Sequence, residues 1–123
     1  MKGFEIVVDA RSPSRLARFW VEVLPGYSIR PYDAAEISRL ASIGLTPETD
    51  TGVPIDGSGP TIWFQKSPSR TTRRNRIHFD VSGRPRSVEV ERLKQLGASI
   101  RDEYQDHTVM LDPEGNQFCV FDP

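Results

Sequence analysis

The chain has 123 residues, of which 37% are hydrophobic, and its 16 basic and 17 acidic residues give a formal net charge of −1. This length fits one domain, and the near-neutral charge gives no general attraction to nucleic acid or to an anionic membrane. The single cysteine, Cys119, excludes an internal disulfide, and the sequence has neither a membrane-span pattern nor a signal-peptide pattern, so we expect a cytoplasmic protein.

A strand is predicted at the start of the chain. Residues 4–9 alternate in character, and their apolar members are Phe4, Ile6 and Val8. Alternation with period two gives a strand two distinct faces. We expect the apolar face to pack beneath a helix and Glu5 to point the other way.

The helix that follows has a defined start, apolar stripe and end. Ser12 offers a capping oxygen, and Pro13 suits the first helical position, where its missing N–H costs nothing. Pro25 and Gly26 end the segment. Four apolar residues recur at helical spacing between these signals and predict the buried stripe: Leu16, Phe19, Trp20 and Val23.

An insertion separates the next two strands, which are predicted at 27–30 and 53–55. Asp33 and Glu36 have the spacing of a capping box, which predicts a short helix over Ala34–Ser42. The segment 46–54 is typical of a surface loop.

The second half of the chain repeats this order. Residues 77–81 align with residues 4–8 at an offset of 73, so Glu5 matches His78. A helix follows Pro85, with Val90, Leu93 and Leu96 as its expected buried stripe.

The later strands repeat as well, at 100–103 and 108–111 and then at the chain end. The segment GSGPTIWF (57–64) aligns with PEGNQFCV (113–120) at an offset of 56, so Trp63 matches Cys119. Each half therefore predicts a strand, a helix and three strands, with modules at 1–67 and 74–123.

Four motifs in this order resemble the vicinal oxygen chelate superfamily, and its glyoxalase-like branch in particular: RFWVEVLPGY, NRIHFDV, LKQLGA and DPEGNQFCVF. That superfamily contains glyoxalase I, extradiol dioxygenases and bleomycin-resistance proteins. The resemblance covers nearly the whole chain. It implies an α+β fold in which two tandem βαβββ modules form one domain, with a cupped mixed sheet and the helices outside. It also implies a small bacterial protein that pairs as a homodimer.

The resemblance further implies a set of site residues. Metal-using members of the superfamily take one ligand from each of four strands, and the repeat places the matching positions at Glu5, Trp63, His78 and Cys119. Gln65 is the alternative to Trp63, two residues further along the same face. With Asp80, which shares a face with His78, these residues are expected to line a ligand cleft.

Glu5 and His78 are the expected metal ligands and candidate catalytic groups, because a carboxylate and an imidazole suit a divalent ion. Such an ion would polarise vicinal oxygens of a substrate. Trp63 cannot coordinate, and Cys119 is a soft donor, so Zn²⁺ fits better than Mn²⁺ or Ni²⁺ and little tightly bound metal is expected. Alternatively, Glu5 acts as a base without a metal, or both residues are only polar linings and His78 pairs with Glu5 or Asp80.

Two residues allow a second interpretation. Cys119 lies in the apolar segment FCVF, which favours a small buried thiol over a nucleophile. Trp63 suits the floor of a site for a flat or cationic ligand, and it equally suits a core position. Trp20 lies in the helical stripe and is expected in the core.

The arginine-rich segment RTTRRNR (70–76) has no interleaved aromatic residue for base stacking, so no nucleic-acid partner is expected. It is interpreted as the exposed link between the modules.

Two main functions are therefore carried forward. One is a glyoxalase-like protein that binds or transforms a small organic molecule, as a lyase or isomerase. The other is a metal-free protein that sequesters a small molecule, in the manner of bleomycin-resistance proteins.

Overall fold

The computed structural model describes residues 3–67 and 76–123. Within them it has an α+β fold with the predicted βαβββ order in each half and the predicted inserted helix in the first. The first half contains β1 (Phe4–Ala10), α1 (Pro13–Val23), β2 (Ser28–Ile29), α2 (Ala34–Ser42), β3 (Gly52–Asp56) and β4 (Ile62–Lys66). The second contains β5 (Ile77–Val81), α3 (Arg86–Gln95), β6 (Ser99–Glu103), β7 (His107–Leu111) and β8 (Gln117–Phe121).

The chain forms two compact units. The N-terminal unit comprises residues 8–70, and the C-terminal unit comprises residues 1–7 and 71–123. Strand β1 is therefore shared, since its first residues belong to the C-terminal unit. The predicted division into modules 1–67 and 74–123 stays a prediction, and most of the arginine-rich segment lies outside the described residues.

The core of the N-terminal unit lies between α1 and an antiparallel set of strands in the order β2-β3-β4. Val53, Ile55 and Phe64 are fully buried beneath Ala17 of the helix. Burying side chains of this size stabilises the unit by roughly 1.5–3 kcal/mol each. Trp20 packs against the same core, as predicted.

The buried stripe of α1 is rotated from the predicted one. Phe19 and Val23 were expected in the core but are about half exposed. The residues that face the core are Leu16, Ala17, Trp20, Val21 and Leu24. Ala17, Trp20, Val21 and Leu24 have the spacing i, i+3, i+4 and i+7, so the small Ala17, and not Phe19, marks the closest approach to the sheet.

The two N-caps predicted from the sequence differ in outcome. Pro13 occupies the first turn of α1, but the Ser12 side chain makes no capping hydrogen bond. Asp33 caps α2, because its Oδ1 accepts from the amide of Glu36 at 2.8 Å. The Glu36 side chain does not complete the capping box, since it forms a bidentate pair with Arg39 one turn later.

The loop before β3 is held by a buried carboxylate. The Tyr32 hydroxyl donates to Oδ2 of Asp50 at 2.7 Å, and the Gly52 amide donates to Oδ1 at 3.2 Å. Asp50 is buried. Desolvation and the hydrogen bond to this carboxylate raise the pKa of Tyr32 well above its ordinary value. The insertion is thus fastened to the sheet through Tyr32.

In the C-terminal unit the strands follow the order β5-β8-β7-β6. Strands β5 and β8 are parallel, while β6, β7 and β8 are antiparallel neighbours. Helix α3 packs on one face of these strands, which we call the rear face. Val90 of α3 contacts Met110 and Val120 there, and both of those residues are fully buried.

The rear face is only partly covered by α3. The apolar sides of β1 and β5 were expected to be buried there, but Phe4, Ile77 and Phe79 are 42–56% exposed. The ten-residue helix packs over β6, β7 and β8 and leaves Ile77 and Phe79 of β5 exposed, while Val81 at the end of β5 packs against the core. Leu96 was also expected in the stripe, but it follows the last turn of α3 and is exposed.

The turn between β7 and β8 is built by Asp112. Its Oδ1 accepts from the amides of Glu114 and Asn116, and its Oδ2 accepts from the Asn116 side chain at 2.9 Å. Hydrogen bonds from Asn116 hold the pKa of Asp112 below its ordinary value. Gly115 has φ +89°, a conformation that L residues rarely adopt. This turn sets the residue at which β8 begins.

In the described part of the chain, no helix is long and apolar enough to cross a membrane.

Gly115→Ala should destabilise the protein by about 1 kcal/mol, because an alanine is strained at positive φ. No atom lies within 4 Å of a Cβ built at Gly115, so crowding adds nothing. Urea unfolding followed by circular dichroism measures the change. Gly83→Ala is the matched control, since Gly83 has the same free space without positive φ. Equal stability of the two variants would contradict the argument.

Tyr32→Phe should cost about 1–2 kcal/mol near neutral pH, because Oδ2 of the buried Asp50 loses its hydroxyl donor while the Gly52 amide still donates to Oδ1. The pH dependence should also change. Above the ordinary tyrosine pKa of 10.0 the unfolded chain ionises at Tyr32 while the folded protein keeps it neutral, so stability falls as pH rises.

Tyr32→Phe should lose this contribution, so at alkaline pH its free energy of unfolding should fall less steeply with rising pH than that of the wild type. Tyr27→Phe serves as control, because Tyr27 donates to the neutral carbonyl of Pro60. The same alkaline slope in Tyr32→Phe and wild type would refute the assignment.

Candidate functional site

The candidate site lies on the face of the C-terminal sheet opposite α3, which we call the front face. Strand β8 divides its residues between the faces, with Phe118 and Val120 packed on the rear and Cys119 on the front. Cys119 pairs with Asp80 of β5 on one side and with Val109 of β7 on the other. The strand register therefore brings β5 polar groups beside the only cysteine of the chain.

Three potential metal ligands meet on this face. One ligand atom from each of His78, Asp80 and Cys119 lies within 4.8 Å of the other two. All three residues are partly buried, and the side chains of His78 and Asp80 are only 11% and 17% exposed. Among the described residues this is the one group of three or more His, Cys, Asp or Glu residues with that spacing.

The donor set fits a divalent ion of the zinc class. Oδ1 of Asp80 is buried and makes no hydrogen bond within the described residues, although it lies 3.4 Å from Nε2 of His78. A buried carboxylate oxygen is costly without a partner. Zn²⁺ accepts sulfur, nitrogen and oxygen ligands, and a site with three protein ligands leaves one position open for water or substrate.

The same three side chains can also be explained without a metal. The 3.4 Å approach of His78 Nε2 to Asp80 Oδ1 is an ion pair when the imidazole is protonated. This contact agrees with the sequence-based alternative in which His78 pairs with Asp80. Cys119 is partly buried, so it is less enclosed than the expected buried thiol.

A row of stacked rings crosses the front face beside this cluster. Phe121 lies two residues beyond Cys119 and stacks on His107, with ring centroids 4.9 Å apart. His107 stacks in turn on Tyr104 at 4.7 Å. Its Nδ1 contacts Oδ1 of Asp106 at 2.7 Å, which holds the pKa of Asp106 below its ordinary value. The row gives the front face a flat apolar side next to the polar cluster.

Of the other expected site residues, Glu5 lies on β1 in the C-terminal unit and is partly buried. The amide of Ser82 donates to the carbonyl of Gly3 at 2.8 Å, so the start of β1 runs beside the end of β5. Glu5 is not a member of the group formed by His78, Asp80 and Cys119. Its part in metal binding stays a prediction.

Trp63 and Gln65 lie on β4 in the N-terminal unit, paired with Pro54 and Gly52 of β3. Trp63 helps to line a cavity of about 300 Å³ together with Arg30 and Tyr32. The Arg30 guanidinium lies 5.4 Å from the Trp63 ring centroid and is fixed by a bidentate pair with Asp56. The indole therefore forms part of a cavity wall and already contacts one cation, the Arg30 guanidinium. Each sequence-based interpretation of Trp63, as the floor of a ligand site or as a core residue, is met only in part.

The expectation that Glu5, Trp63, His78 and Cys119 share one cleft stays a prediction, since they are divided between the two units. Sequence reasoning assigned Asp80 to ligand binding and missed it as a third donor beside His78 and Cys119. The period-two spacing of His78 and Asp80 already placed both on one face. Nothing in the sequence indicated the row of Tyr104, His107 and Phe121.

The chain matches the model of one protein family, described as the glyoxalase-like domain, over residues 5–121. No curated protein matches the chain significantly.

Solved structures match over nearly the whole length but only weakly. A hypothetical protein, SA1046 from S. aureus, shares 12% identity, with 100% of this chain and 95% of that chain covered and a TM-score of 0.37. An integron cassette protein from the mobile metagenome of the Halifax Harbour sewage outfall shares 17%, with both chains fully covered and a TM-score of 0.37. A bleomycin resistance determinant encoded on transposon Tn5 shares 11%, with 94% and 92% covered and a TM-score of 0.34.

Proposed function

The chain belongs to the glyoxalase-like domain family, and we propose that it binds and transforms a small organic molecule at the front face, as a lyase or isomerase. The observation that carries this proposal is the convergence of His78, Asp80 and Cys119. Three donors of this kind in one partly buried group are more than a polar lining requires. They support a site for one divalent ion of the zinc class.

When bound, such an ion supplies Lewis-acid polarisation of substrate oxygens. Three side chains of this protein would hold the ion. Oδ1 of Asp80 lies 3.4 Å from Nε2 of His78, so the carboxylate and the imidazole could ligate one ion together. Cys119 would contribute a thiolate, which favours zinc over magnesium or manganese. Phe121, stacked on His107, offers a flat apolar boundary for a substrate held beside the cluster.

The alternative function is metal-free sequestration of a small molecule. It is supported by the cavity at Trp63, where an indole and a fixed guanidinium form the wall of a site for a flat ligand. Under this alternative His78 and Asp80 contact each other without a metal and Cys119 is a packing residue. Metal binding separates the two proposals.

Purified protein, freed of metal and titrated with Co²⁺ as a spectroscopic substitute for Zn²⁺, should bind one equivalent. A thiolate-to-metal charge-transfer band in the near ultraviolet should report Cys119 as a ligand. Acetohydroxamate, which offers two neighbouring oxygens, should change the visible Co²⁺ spectrum because one position is open. Isothermal titration with Zn²⁺ measures the affinity.

Cys119→Ser should abolish the charge-transfer band. His78→Gln and Asp80→Asn should each weaken metal binding by more than about 100-fold. That factor is the upper range of the effect of losing a residue that only supports a metal ligand, so a larger effect indicates a direct ligand. The controls are His107→Gln, the other histidine, and Asp102→Asn on β6. Both should bind metal as wild type does. Absence of stoichiometric Co²⁺ binding by the wild-type protein would refute the metal site and favour sequestration.

We also propose that the protein is a homodimer, as the family resemblance implies. Light scattering at micromolar concentration should then give about twice the chain mass of 13.9 kDa. A mass equal to that of one chain would reject the dimer.

A further inference from the structure

The rear face of the C-terminal unit contains a second, apolar cavity. It has a volume of about 720 Å³ and lies between α3 and the strands that the helix leaves uncovered. The apolar part of its wall consists of three rings and two aliphatic side chains: Phe4, Ile77, Phe79, Val81 and Phe118. A cavity of 300–1,000 Å³ with mainly apolar walls is typical of small-molecule sites.

The apolar side chains in this cavity are unusually exposed for their size. Phe79 is 50% and Ile77 is 56% exposed. Phe4 and Phe79 form an edge-to-face pair with centroids 6.0 Å apart, so the wall is ordered by its own packing. Removing such surface from water is favourable by about 25 cal/mol per Å². An apolar ligand would gain this energy without displacing a core residue.

Three of the charged residues that line the cavity, Arg84, Glu89 and Arg92, lie on α3 or just before it. Glu89 accepts from Nε and Nη2 of Arg92 at 2.7 and 3.0 Å, and this pair holds the pKa of Glu89 below its ordinary value. Arg84 forms an ion pair with the same carboxylate at 3.6 Å, which is beyond hydrogen-bond distance, and its side chain is about half exposed. Glu89 is therefore satisfied by Arg92, and Arg84 keeps donors for another partner.

Asp112 also lines the cavity, but its carboxylate accepts three hydrogen bonds within its own turn. It therefore does not compete directly for the Arg84 guanidinium. The cavity thus combines an apolar wall with one available cation.

We propose that this cavity binds an amphipathic monocarboxylate, with an alkyl or aryl body against Phe4, Phe79 and Phe118 and the carboxylate at Arg84. The site is distinct from the one proposed above. The strands that separate them present Phe118 to the rear and Cys119 to the front. His78 lines this cavity as well, so the front-face variants that leave its test unaffected are Asp80→Asn and Cys119→Ser, neither of which changes a lining residue.

The probes are decanoate and decanol, which have the same alkyl chain length and differ in charge. The binding of each is measured as the loss of 8-anilinonaphthalene-1-sulfonate fluorescence when the probe displaces this dye. Wild type should bind decanoate about tenfold more tightly than decanol, the difference expected of one charge-assisted hydrogen bond. Arg84→Gln should remove this difference and leave decanol binding unchanged. Arg11→Gln, an exposed arginine of the N-terminal unit, should behave as wild type.

Phe79→Ser should weaken both probes by at least about tenfold, because it removes a ring from the cavity wall. Phe19→Ser is the matched control, since Phe19 is similarly exposed, at 56%, but lies on α1 in the other unit. Equal effects of the two substitutions, or no saturable binding by wild type, would overturn the proposal.

Sedimentation velocity on Phe79→Ser tests the competing occupant, a second copy of this chain. A mass unchanged from wild type supports a ligand cavity. Dissociation of a wild-type dimer by Phe79→Ser would show that the rear face is a contact between copies, and it would overturn the ligand proposal.

Discussion

The position at which β8 begins is the constraint on which the C-terminal unit depends. The Asp112 carboxylate and the left-handed Gly115 close the turn before the strand. Because side chains alternate along a strand, that start point assigns Phe118 and Val120 to the core beneath α3 and Cys119 and Phe121 to the opposite face. A shift of one residue would exchange the two sets and would remove the core and the candidate site together.

The two halves share an element order but bury their sheets differently. In the N-terminal unit α1 presents Ala17 to β3 and β4, so the helix approaches closely and the core is complete. In the C-terminal unit α3 packs through Val90 and leaves Ile77 and Phe79 of β5 exposed. The inserted helix α2 adds a second difference, and the Tyr32–Asp50 hydrogen bond fastens it to its own unit. The repeat therefore produces one core that is closed by its helix and one that retains a cavity.

The proposed metal site differs from the one that the family resemblance implies, because two of the implied ligand positions hold other residue types. Trp63 and Cys119 stand where the resemblance implies metal ligands. Trp63 has become a cavity wall contacted by Arg30, and it has no donor to offer a metal. Cys119 retains a donor, and its pairing with Asp80 across β5 and β8 adds a carboxylate that the repeat did not assign to the metal. The proposed donor set therefore comes from two neighbouring strands, and the cysteine sulfur among its members favours zinc.

Local periodicity, capping and turn residues were enough to predict the α+β class, the order of the strands and helices and the bounds of α2, and four motifs were enough to indicate the family. The sequence also placed His78 and Asp80 on one strand face. Only the tertiary structure decided which faces are covered, since the exposure of Phe79 depends on where α3 packs and not on the alternation of β5. The meeting of Asp80 with Cys119 likewise required the parallel register of β5 and β8, a contact between residues 39 positions apart that no local pattern specifies.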